Sequence, residues 1–158
     1  MKKSINKKIY VAYGSNLNIG QMSYRCPDAE VLASGYIEGY KLAFSGWTGH
    51  GVATIIPAEG CRVPVGLWTI SKRDEVALDR YEGWPHLYRK ENIEVVLDNG
   101  QKISAMVYIM NENCHGEKMI DACPTSSYYN TIYLGYRDFN LNTEVLAAAA
   151  KPYINVEV

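Results

Sequence analysis

The sequence has no long hydrophobic run and no excess of positive charge. No stretch approaches the roughly 20 consecutive apolar residues of a membrane-spanning helix. The 16 Lys and Arg residues are balanced by 17 Asp and Glu residues, which gives a net charge of −1. Because phosphate backbones bind to basic surfaces, this balance argues against a nucleic-acid partner. We therefore expect neither membrane insertion nor nucleic-acid binding.

Cysteine is also sparse, and its spacing is irregular. The four cysteines form no C-x-x-C pair and are not spaced like metal ligands relative to the three histidines. They are Cys26, Cys61, Cys114 and Cys123. We expect free thiols in a reducing, cytoplasmic environment and no bound metal. The basic N-terminal end, residues 1–7, precedes an apolar stretch too short for a secretory signal, which agrees with a cytoplasmic location.

What the chain does contain is a globular composition with unusual tyrosine usage. Hydrophobic residues make up 47% of the 158 residues, enough for one domain with a sizeable core. We predict a single domain over residues 8–150 and an extended C-terminal tail over residues 151–158. Thirteen tyrosines stand against two phenylalanines. Since a buried tyrosine hydroxyl needs a hydrogen-bond partner, we expect most of them in structural positions and a few around a polar cavity.

Strands dominate the predicted secondary structure. Alternating apolar and β-branched residues predict strands over residues 9–13, 31–44 with interruptions, 52–56, 63–70, 88–97 and 102–110. Turn residues at 57–60 and 98–100 separate neighbouring strands, and the second turn predicts a hairpin.

Three helices are predicted between and after these strands. One covers residues 72–81, with Ser71 as its N-cap and Gly83 at its end. Another starts at Ser126 or Ser127 and closes at Gly135, and a third covers residues 143–150 and is stopped by Pro152. Many strands with scattered helices predict an α+β domain, a small closed or strongly curved mixed β-barrel with flanking helices.

The segment Ile9-Tyr-Val-Ala-Tyr-Gly-Ser-Asn-Leu17 contains the first candidate site. Its short apolar strand ends in a polar loop, where Gly14 permits a sharp turn and the side chains of Ser15 and Asn16 can cap a following helix. Such a loop exposes several backbone N–H groups together, which is the arrangement that binds anions. From these residues alone, the loop either holds a ligand or merely turns the chain.

The second candidate site is Glu82, which lies at the end of the predicted helix and directly before Gly83. Three aromatic residues lie nearby in the chain, Tyr81, Trp84 and Tyr88. The negative end of the helix dipole and desolvation by these rings both raise the pKa of a carboxyl group, which suits proton transfer near neutral pH. Asp79 is a competing carboxylate, and a solvated or arginine-paired Glu82 is the alternative.

Four motifs together resemble the γ-glutamylcyclotransferase family. They are Tyr13-Gly-Ser-Asn-Leu17, Gly51-Val-Ala-Thr-Ile55, Leu78-Asp-x-x-Glu82-Gly83 followed by Tyr88, and Tyr128-x-x-x-Ile132-x-x-Gly135. Each motif is short, but the four occur in the family's order and at compatible spacing. The resemblance extends from about residue 9 to about residue 142.

This resemblance implies a small β-barrel with flanking helices and an enzyme that needs no cofactor. Family members convert a γ-glutamyl compound into 5-oxoproline and release the attached amine or amino acid, an intramolecular aminoacyl transfer. The resemblance implies that Glu82 is the catalytic acid/base. It also implies a set of substrate-binding residues: Tyr13, Gly14, Ser15, Asn16, Leu17 and Tyr128, with Tyr129 as the alternative to Tyr128.

The expected partner is therefore a small γ-glutamyl molecule, and the residues suit its chemistry. An anion-binding loop can hold the tethered amine against the γ-carbonyl, and one carboxylate can take a proton from that amine and return it to the departing nitrogen. Two other functions fit the same residues: a carboxylate-binding module without turnover, or a hydrolase in which Glu82 activates water. The segment Trp84-Pro85-His86 either borders the leaving group or only packs the chain turn.

Overall fold

The computed structural model describes residues 7–154, which form a mixed β-sheet and four α-helices. The strands are β1 (Lys8–Ala12), β2 (Glu30–Trp47), β3 (His50–Ile70), β4 (Tyr88–Leu97), β5 (Lys102–Met110), β6 (Asn113–Cys114), β7 (Glu117–Lys118) and β8 (Ile120–Asp121). The helices are α1 (Ile19–Arg25), α2 (Lys72–Glu82), α3 (Ser126–Asp138) and α4 (Thr143–Ile154). A single 3-10 turn, Ser15–Leu17, joins β1 to α1.

Five of the strands close into a barrel. The strand order is β3-β1-β5-β4-β2, and pairing of β2 with β3 completes the circle, while β8 adds a further strand on β2. The pair β1–β5 is parallel and the other pairs are antiparallel, so the barrel is mixed. The prediction of an α+β fold with a closed mixed barrel and flanking helices is therefore confirmed.

The predicted turn at residues 57–60 is wrong, because β3 runs through it as one long strand. The register between β2 and β3 shifts there, from Glu38 opposite Arg62 to Tyr40 opposite Pro57. The extra residues form a bulge, and Gly39 and Gly60 accommodate it with φ near +80°. The hairpin predicted at residues 98–100 is confirmed: it joins β4 to β5, with Val95 opposite Ile103.

Helix α3 does not close at Gly135, contrary to the prediction. It continues to Asp138, and its N-cap is Thr125, whose side chain accepts a hydrogen bond from the Tyr128 N–H. Gly135 lies inside the helix because α3 packs against the 3-10 turn at this point. A Cβ atom built at Gly135 would lie 2.6 Å from both the carbonyl carbon and the Cβ of Leu17.

Helix α4 also extends beyond its predicted end. It continues past Pro152 to Ile154, so residues 151–154 are helical and not an extended tail. The Tyr153 hydroxyl donates a hydrogen bond of 3.2 Å to the Phe44 carbonyl, which holds this last turn on β2. The rest of the predicted tail and most of the basic N-terminal end, residues 155–158 and 1–6, lie outside the described residues.

The barrel interior and the inner faces of the helices form one hydrophobic core. Its largest fully buried side chains include Tyr108, Tyr136 and Phe44. The core holds the end of β1 and the adjoining 3-10 turn rigidly against α3. No helix within residues 7–154 combines the length and apolar character that crossing a membrane requires.

Candidate active site

A cavity of about 270 Å³ opens where β1 ends beside the end of α2. Its lining comes from six parts of the chain that are distant in sequence. The lining residues are Tyr10, Val11, Tyr13, Gly14, Ser15, Asn16, Val52, Ala53, Tyr81, Glu82, Leu87, Tyr88, Tyr108 and Tyr128. The cavity thus combines a polar loop, one carboxyl group and six tyrosines.

The loop after β1 lines this site and contains backbone N–H groups that have no acceptor among the described residues. Within residues 7–154, no group accepts a hydrogen bond from the N–H of Gly14, Ser15 or Asn16. The Leu17 N–H, by contrast, donates to the Gly14 carbonyl at 3.0 Å. Three neighbouring N–H donors without acceptors make the loop suited to an anionic ligand.

Gly14 lies in a closely packed part of the loop, and its backbone is not left-handed. Its φ is −127°, and a Cβ atom there would lie 3.1 Å from the Ala53 Cβ and 3.7 Å from the Tyr128 hydroxyl oxygen. A side chain at this position would therefore be in tight contact with Ala53 on β3.

The prediction that Ser15 and Asn16 cap the following helix is wrong. The N-cap of α1 is Asn18, whose Oδ1 accepts a hydrogen bond of 3.0 Å from the Gln21 N–H. Ser15 Oγ instead lies 2.8 Å from the Tyr81 hydroxyl oxygen, and Asn16 Nδ2 donates to the Tyr10 hydroxyl at 2.9 Å. Both side chains therefore belong to the cavity.

Glu82 occupies the last position of α2, and both ends of that helix are well defined. Ser71 and Asp74 form a reciprocal capping box at its start, and Gly83 ends it with φ of 65° in the left-handed region. These two caps fix the position of the Glu82 backbone at the cavity wall.

Burial makes the Glu82 carboxyl group easy to protonate. Glu82 is half-buried as a residue and its side chain lines the cavity, where desolvation raises the pKa of the carboxyl group from 4.5 to about 7, with the positive charge of Arg25 opposing this rise. The predicted rise in pKa is thus present, and desolvation is its cause. The nearest hydrogen-bond donor is Asn16 Nδ2, 3.5 Å from Glu82 Oε1. Within residues 7–154, Glu82 forms no ion pair.

The tyrosines around Glu82 are held by hydrogen bonds to the barrel. The Tyr88 hydroxyl donates to the Ala53 carbonyl, and the Tyr128 hydroxyl accepts a hydrogen bond of 3.0 Å from the Ala53 N–H. The Tyr13 hydroxyl donates to the Tyr108 carbonyl at 2.6 Å. Desolvation raises the pKa of all of these phenols, so they stay protonated and can act as hydrogen-bond donors.

Asp79 and Trp84, which the sequence also places near Glu82, do not share its environment in the cavity. Asp79 accepts a hydrogen bond of 2.6 Å from the Tyr108 hydroxyl and forms an ion pair of 2.8 Å with Lys90, so its charge is already compensated. Trp84 is 43% exposed and stacks under Lys90, and it does not line the cavity. Pro85 and His86 are exposed as well, while Leu87 reaches the cavity.

The cavity brings together most of the residues expected to bind substrate. Tyr13, Gly14, Ser15, Asn16 and Tyr128 line the same space as Glu82. Leu17 does not, because its side chain is fully buried beneath Gly135. Tyr129 packs against the core and is absent from the lining, which favours Tyr128 over its neighbour.

Several lining residues were not expected from the sequence. Val52 and Ala53 lie within the motif at residues 51–55, which was a usable signal. Tyr10 and Tyr108 had no local signal, because pairing of β1 with β5 brings them together, with their ring centroids 5.9 Å apart. Arg25 was missed because helix α1 was not predicted at all.

This arrangement can position an anion-bearing substrate beside a proton-transferring carboxyl group. The loop offers N–H donors, the hydroxyl groups of Tyr10 and Tyr128 accept hydrogen bonds and so keep their own protons to donate, and Glu82 can exchange a proton near neutral pH.

Comparisons with known proteins agree with this reading. The family model for gamma-glutamyl cyclotransferase, AIG2-like proteins matches residues 10–130. The chain therefore belongs to this family, and it is an enzyme of the γ-glutamylcyclotransferase type.

Individual relatives give the same answer at moderate identity. Gamma-glutamylcyclotransferase from Homo sapiens is 28% identical over 145 residues, which cover 86% of this chain and 73% of the human protein. A solved structure of a gamma-glutamyl cyclotransferase superposes with a TM-score of 0.80 at 26% identity, covering 97% of this chain and 93% of its own. An uncharacterized protein from Homo sapiens gives a TM-score of 0.78 at 26% identity, with 90% and 86% covered.

Proposed function

We propose that this enzyme converts a γ-glutamyl amine or γ-glutamyl amino acid into 5-oxoproline and releases the free amine or amino acid. One observation supports the proposal above all. A buried carboxyl group with a pKa raised to about 7 shares a small cavity with a loop of N–H donors that have no acceptor among residues 7–154.

The loop binds the α-carboxylate of the substrate. The N–H groups of Gly14, Ser15 and Asn16 donate hydrogen bonds to that carboxylate, and the short loop keeps it at a fixed distance from Glu82. Holding the substrate folded places its α-amine against its γ-carbonyl carbon. In good intramolecular cases such positioning lowers the barrier by roughly 7 kcal/mol or more.

Glu82 transfers the protons. The α-amine nitrogen attacks the γ-carbonyl carbon, a C–N bond forms, and the amine proton passes to the Glu82 carboxylate. The amide bond to the leaving group then breaks, and the departing nitrogen takes the proton back from Glu82. The carboxyl group ends in its starting state, so one residue suffices, with a typical contribution of about 10²- to 10⁴-fold.

The negative charge on the carbonyl oxygen is stabilised by hydroxyl donors. The Tyr128 hydroxyl oxygen already accepts from the Ala53 N–H, so its own proton is free to point into the cavity. A preorganised donor of this kind stabilises the tetrahedral intermediate without reorganisation during the reaction.

The identity of the products tests this function directly. Incubation with a panel of γ-glutamyl dipeptides, γ-glutamyl-ε-lysine and glutathione, followed by mass detection, should show 5-oxoproline and the free leaving group in equal amounts. Free glutamate would instead indicate a hydrolase in which Glu82 activates water. Saturable binding with no product would indicate a carboxylate-binding module.

A further inference from the structure

We propose that Arg25 is a positioning residue for this reaction: its guanidinium group holds the Asn16 carboxamide and the Tyr81 ring and places a positive charge beside Glu82. Arg25 is the last residue of α1 and does not line the cavity. It therefore acts through the residues that do. The proposal rests on the proposed role of Glu82 as the acid/base.

The contacts of Arg25 join the two halves of the site. Its Nη1 donates a hydrogen bond to Asn16 Oδ1, and its Nη2 donates to Gln21 Oε1 at 3.1 Å. Its guanidinium carbon lies 3.5 Å from the centroid of the Tyr81 ring. Asn16 belongs to the loop after β1 and Tyr81 belongs to α2, so one planar group fixes both against each other.

The hydrogen bond from Arg25 also determines which way the Asn16 side chain faces. A guanidinium group has only donors, so its partner must be the amide oxygen and not the amide nitrogen. The Asn16 nitrogen is then turned toward the Tyr10 hydroxyl and Glu82 Oε1. In the flipped orientation the amide oxygen would face the Glu82 carboxylate and repel it.

The charge of Arg25 is not cancelled by an ion pair. Within residues 7–154, no carboxylate lies within ion-pair distance of it, and its partners are two neutral amides and a phenol ring. An uncompensated positive charge favours the ionised form of a nearby carboxyl group. Arg25 therefore lowers the pKa of Glu82 against the desolvation that raises it.

The other titratable groups facing Glu82 are tyrosines. They are Tyr10 from β1, Tyr13 from the loop directly after it, Tyr88 from β4, Tyr108 from β5 and Tyr128 from α3. Burial raises the pKa of each of these phenols, so they carry no charge near neutral pH. Asp79, one turn earlier on α2, is paired with Lys90. Arg25 is thus the charged group that acts on Glu82 near neutral pH.

Direct titration of Glu82 in the free enzyme tests this role without turnover. The carboxyl carbon of Glu82 is followed by NMR in protein labelled with ¹³C-glutamate, and its signal is identified by its loss in Glu82→Gln. In Arg25→Met the Glu82 pKa should rise by about one unit, the lower end of the range for loss of a nearby opposite charge. An unchanged pKa in Arg25→Met would overturn the electrostatic part of the proposal.

Two further variants complete the experiment. Arg62→Met is the matched control. Arg62 also stacks on a tyrosine ring, 4.6 Å from the centroid of Tyr36, but Tyr36 does not line the cavity, whereas the Arg25 partners Asn16 and Tyr81 do. This variant should leave the Glu82 pKa unchanged. Arg25→Lys keeps the charge but loses the planar fork, so the Glu82 pKa should stay near the wild-type value while kcat falls roughly tenfold with little change in KM.

The outcomes separate this proposal from the proposed function. If Arg25→Lys has the same kcat and KM as wild type, Arg25 does not position Asn16 for the reaction. This result holds even if Arg25→Met fails to fold. If wild-type enzyme releases no 5-oxoproline from any substrate, the proposed function fails, yet the titration still decides whether Arg25 sets the Glu82 pKa. If the acidic limb of the kcat–pH profile of Arg25→Met moves to higher pH together with the titrated Glu82 pKa, the role of Arg25 and the proposed function are both supported.

Discussion

At Glu82, stability of the fold and the proposed catalytic role place opposite requirements on the side chain. The carboxyl group is enclosed by tyrosine rings, so its charged form is poorly solvated and its pKa rises to about 7. A residue placed there for stability alone would not need to ionise. Its position at the capped end of α2 keeps it in this unfavourable setting.

This opposition predicts a pH-dependent stability difference between wild type and Glu82→Gln. Below pH 4.5 the carboxyl group is protonated in both folded and unfolded states. As pH rises from 4.5 toward 7, only the unfolded state loses the proton, so the wild type loses stability until the folded pKa is passed. Glu82→Gln lacks this group and should be more stable than wild type at pH 8, by about 1 to 3 kcal/mol.

Urea unfolding of the two proteins at pH 4 and pH 8 measures this difference. The two proteins should have nearly the same free energy of unfolding at pH 4, whereas at pH 8 that of Glu82→Gln should be larger than that of wild type. A gap of the same size at both values would show that the carboxyl group is not destabilised by burial.

Single residues with a local chemical signal were predictable, while those placed by packing were not. Glu82 stood out because a carboxylate at a helix end among aromatic residues is unusual. The direction of its pKa shift followed from that, although Trp84 takes no part in enclosing it. Leu17 had the same motif signal as Ser15 and Asn16 but faces the core, since a 3-10 turn rotates it away from the cavity.

At the scale of elements, the contact between α3 and the 3-10 turn holds the loop after β1 in place. Gly135 allows this contact, because a methyl group there would overlap Leu17 and Asn18. Gly135→Ala should therefore force α3 outward and destabilise the fold by about 1 to 3 kcal/mol. Since the displaced turn carries the loop with it, KM should also rise.

Gly20→Ala is the matched control for this prediction. Gly20 lies in helix α1, and the nearest atom to an added Cβ there is 3.4 Å away, so the substitution should be neutral or stabilise by up to about 1 kcal/mol. Thermal unfolding and steady-state kinetics measure both effects. Equal stability of the two alanine variants would contradict a tight α3 contact.

Elements with strong periodicity and caps were predicted well, and interrupted ones were not. Helix α2 and the β4–β5 hairpin follow their local signals closely. Glycine and proline signals failed where tertiary packing overrode them: Pro57 and Gly60 lie in a bulge, Gly135 in a helix contact and Pro152 within α4. Helix α1 is only seven residues long, too short for its periodicity to stand out.

At the scale of the whole molecule, the site exists only when the barrel is closed. Its walls come from β1, β3, β4, β5, α2 and α3. No pair of elements that are adjacent in sequence could form the site without the others. This long-range assembly is why Tyr10 and Tyr108 were missed. A composition rich in strands predicted the barrel, but the order of strands that brings these residues together depends on pairings far apart in sequence.

The same assembly predicts how the product should protect the fold. Bound 5-oxoproline should slow backbone hydrogen exchange together in three separate segments: the loop at residues 13–17, the end of α2 and the start of α3. At 100 times its Kd the ligand should stabilise the protein by about 2.7 kcal/mol, which raises Tm by roughly 5 to 10 °C.

Exchange measured by mass spectrometry, with L-proline as the control, tests this distribution. Proline lacks the ring carbonyl and should give a smaller effect. Protection confined to one segment, or equal protection by proline, would contradict a site shared among these elements.

The activity of Glu82→Gln tests the proposed mechanism most directly. This variant should fold, bind 5-oxoproline and lose at least about a hundredfold in 5-oxoproline release, since the proton carrier is gone. Glu91→Gln, the same substitution at an exposed ion pair on β4, should keep near-normal activity. If folded Glu82→Gln turns over substrate at a rate near that of wild type, Glu82 is not the acid/base.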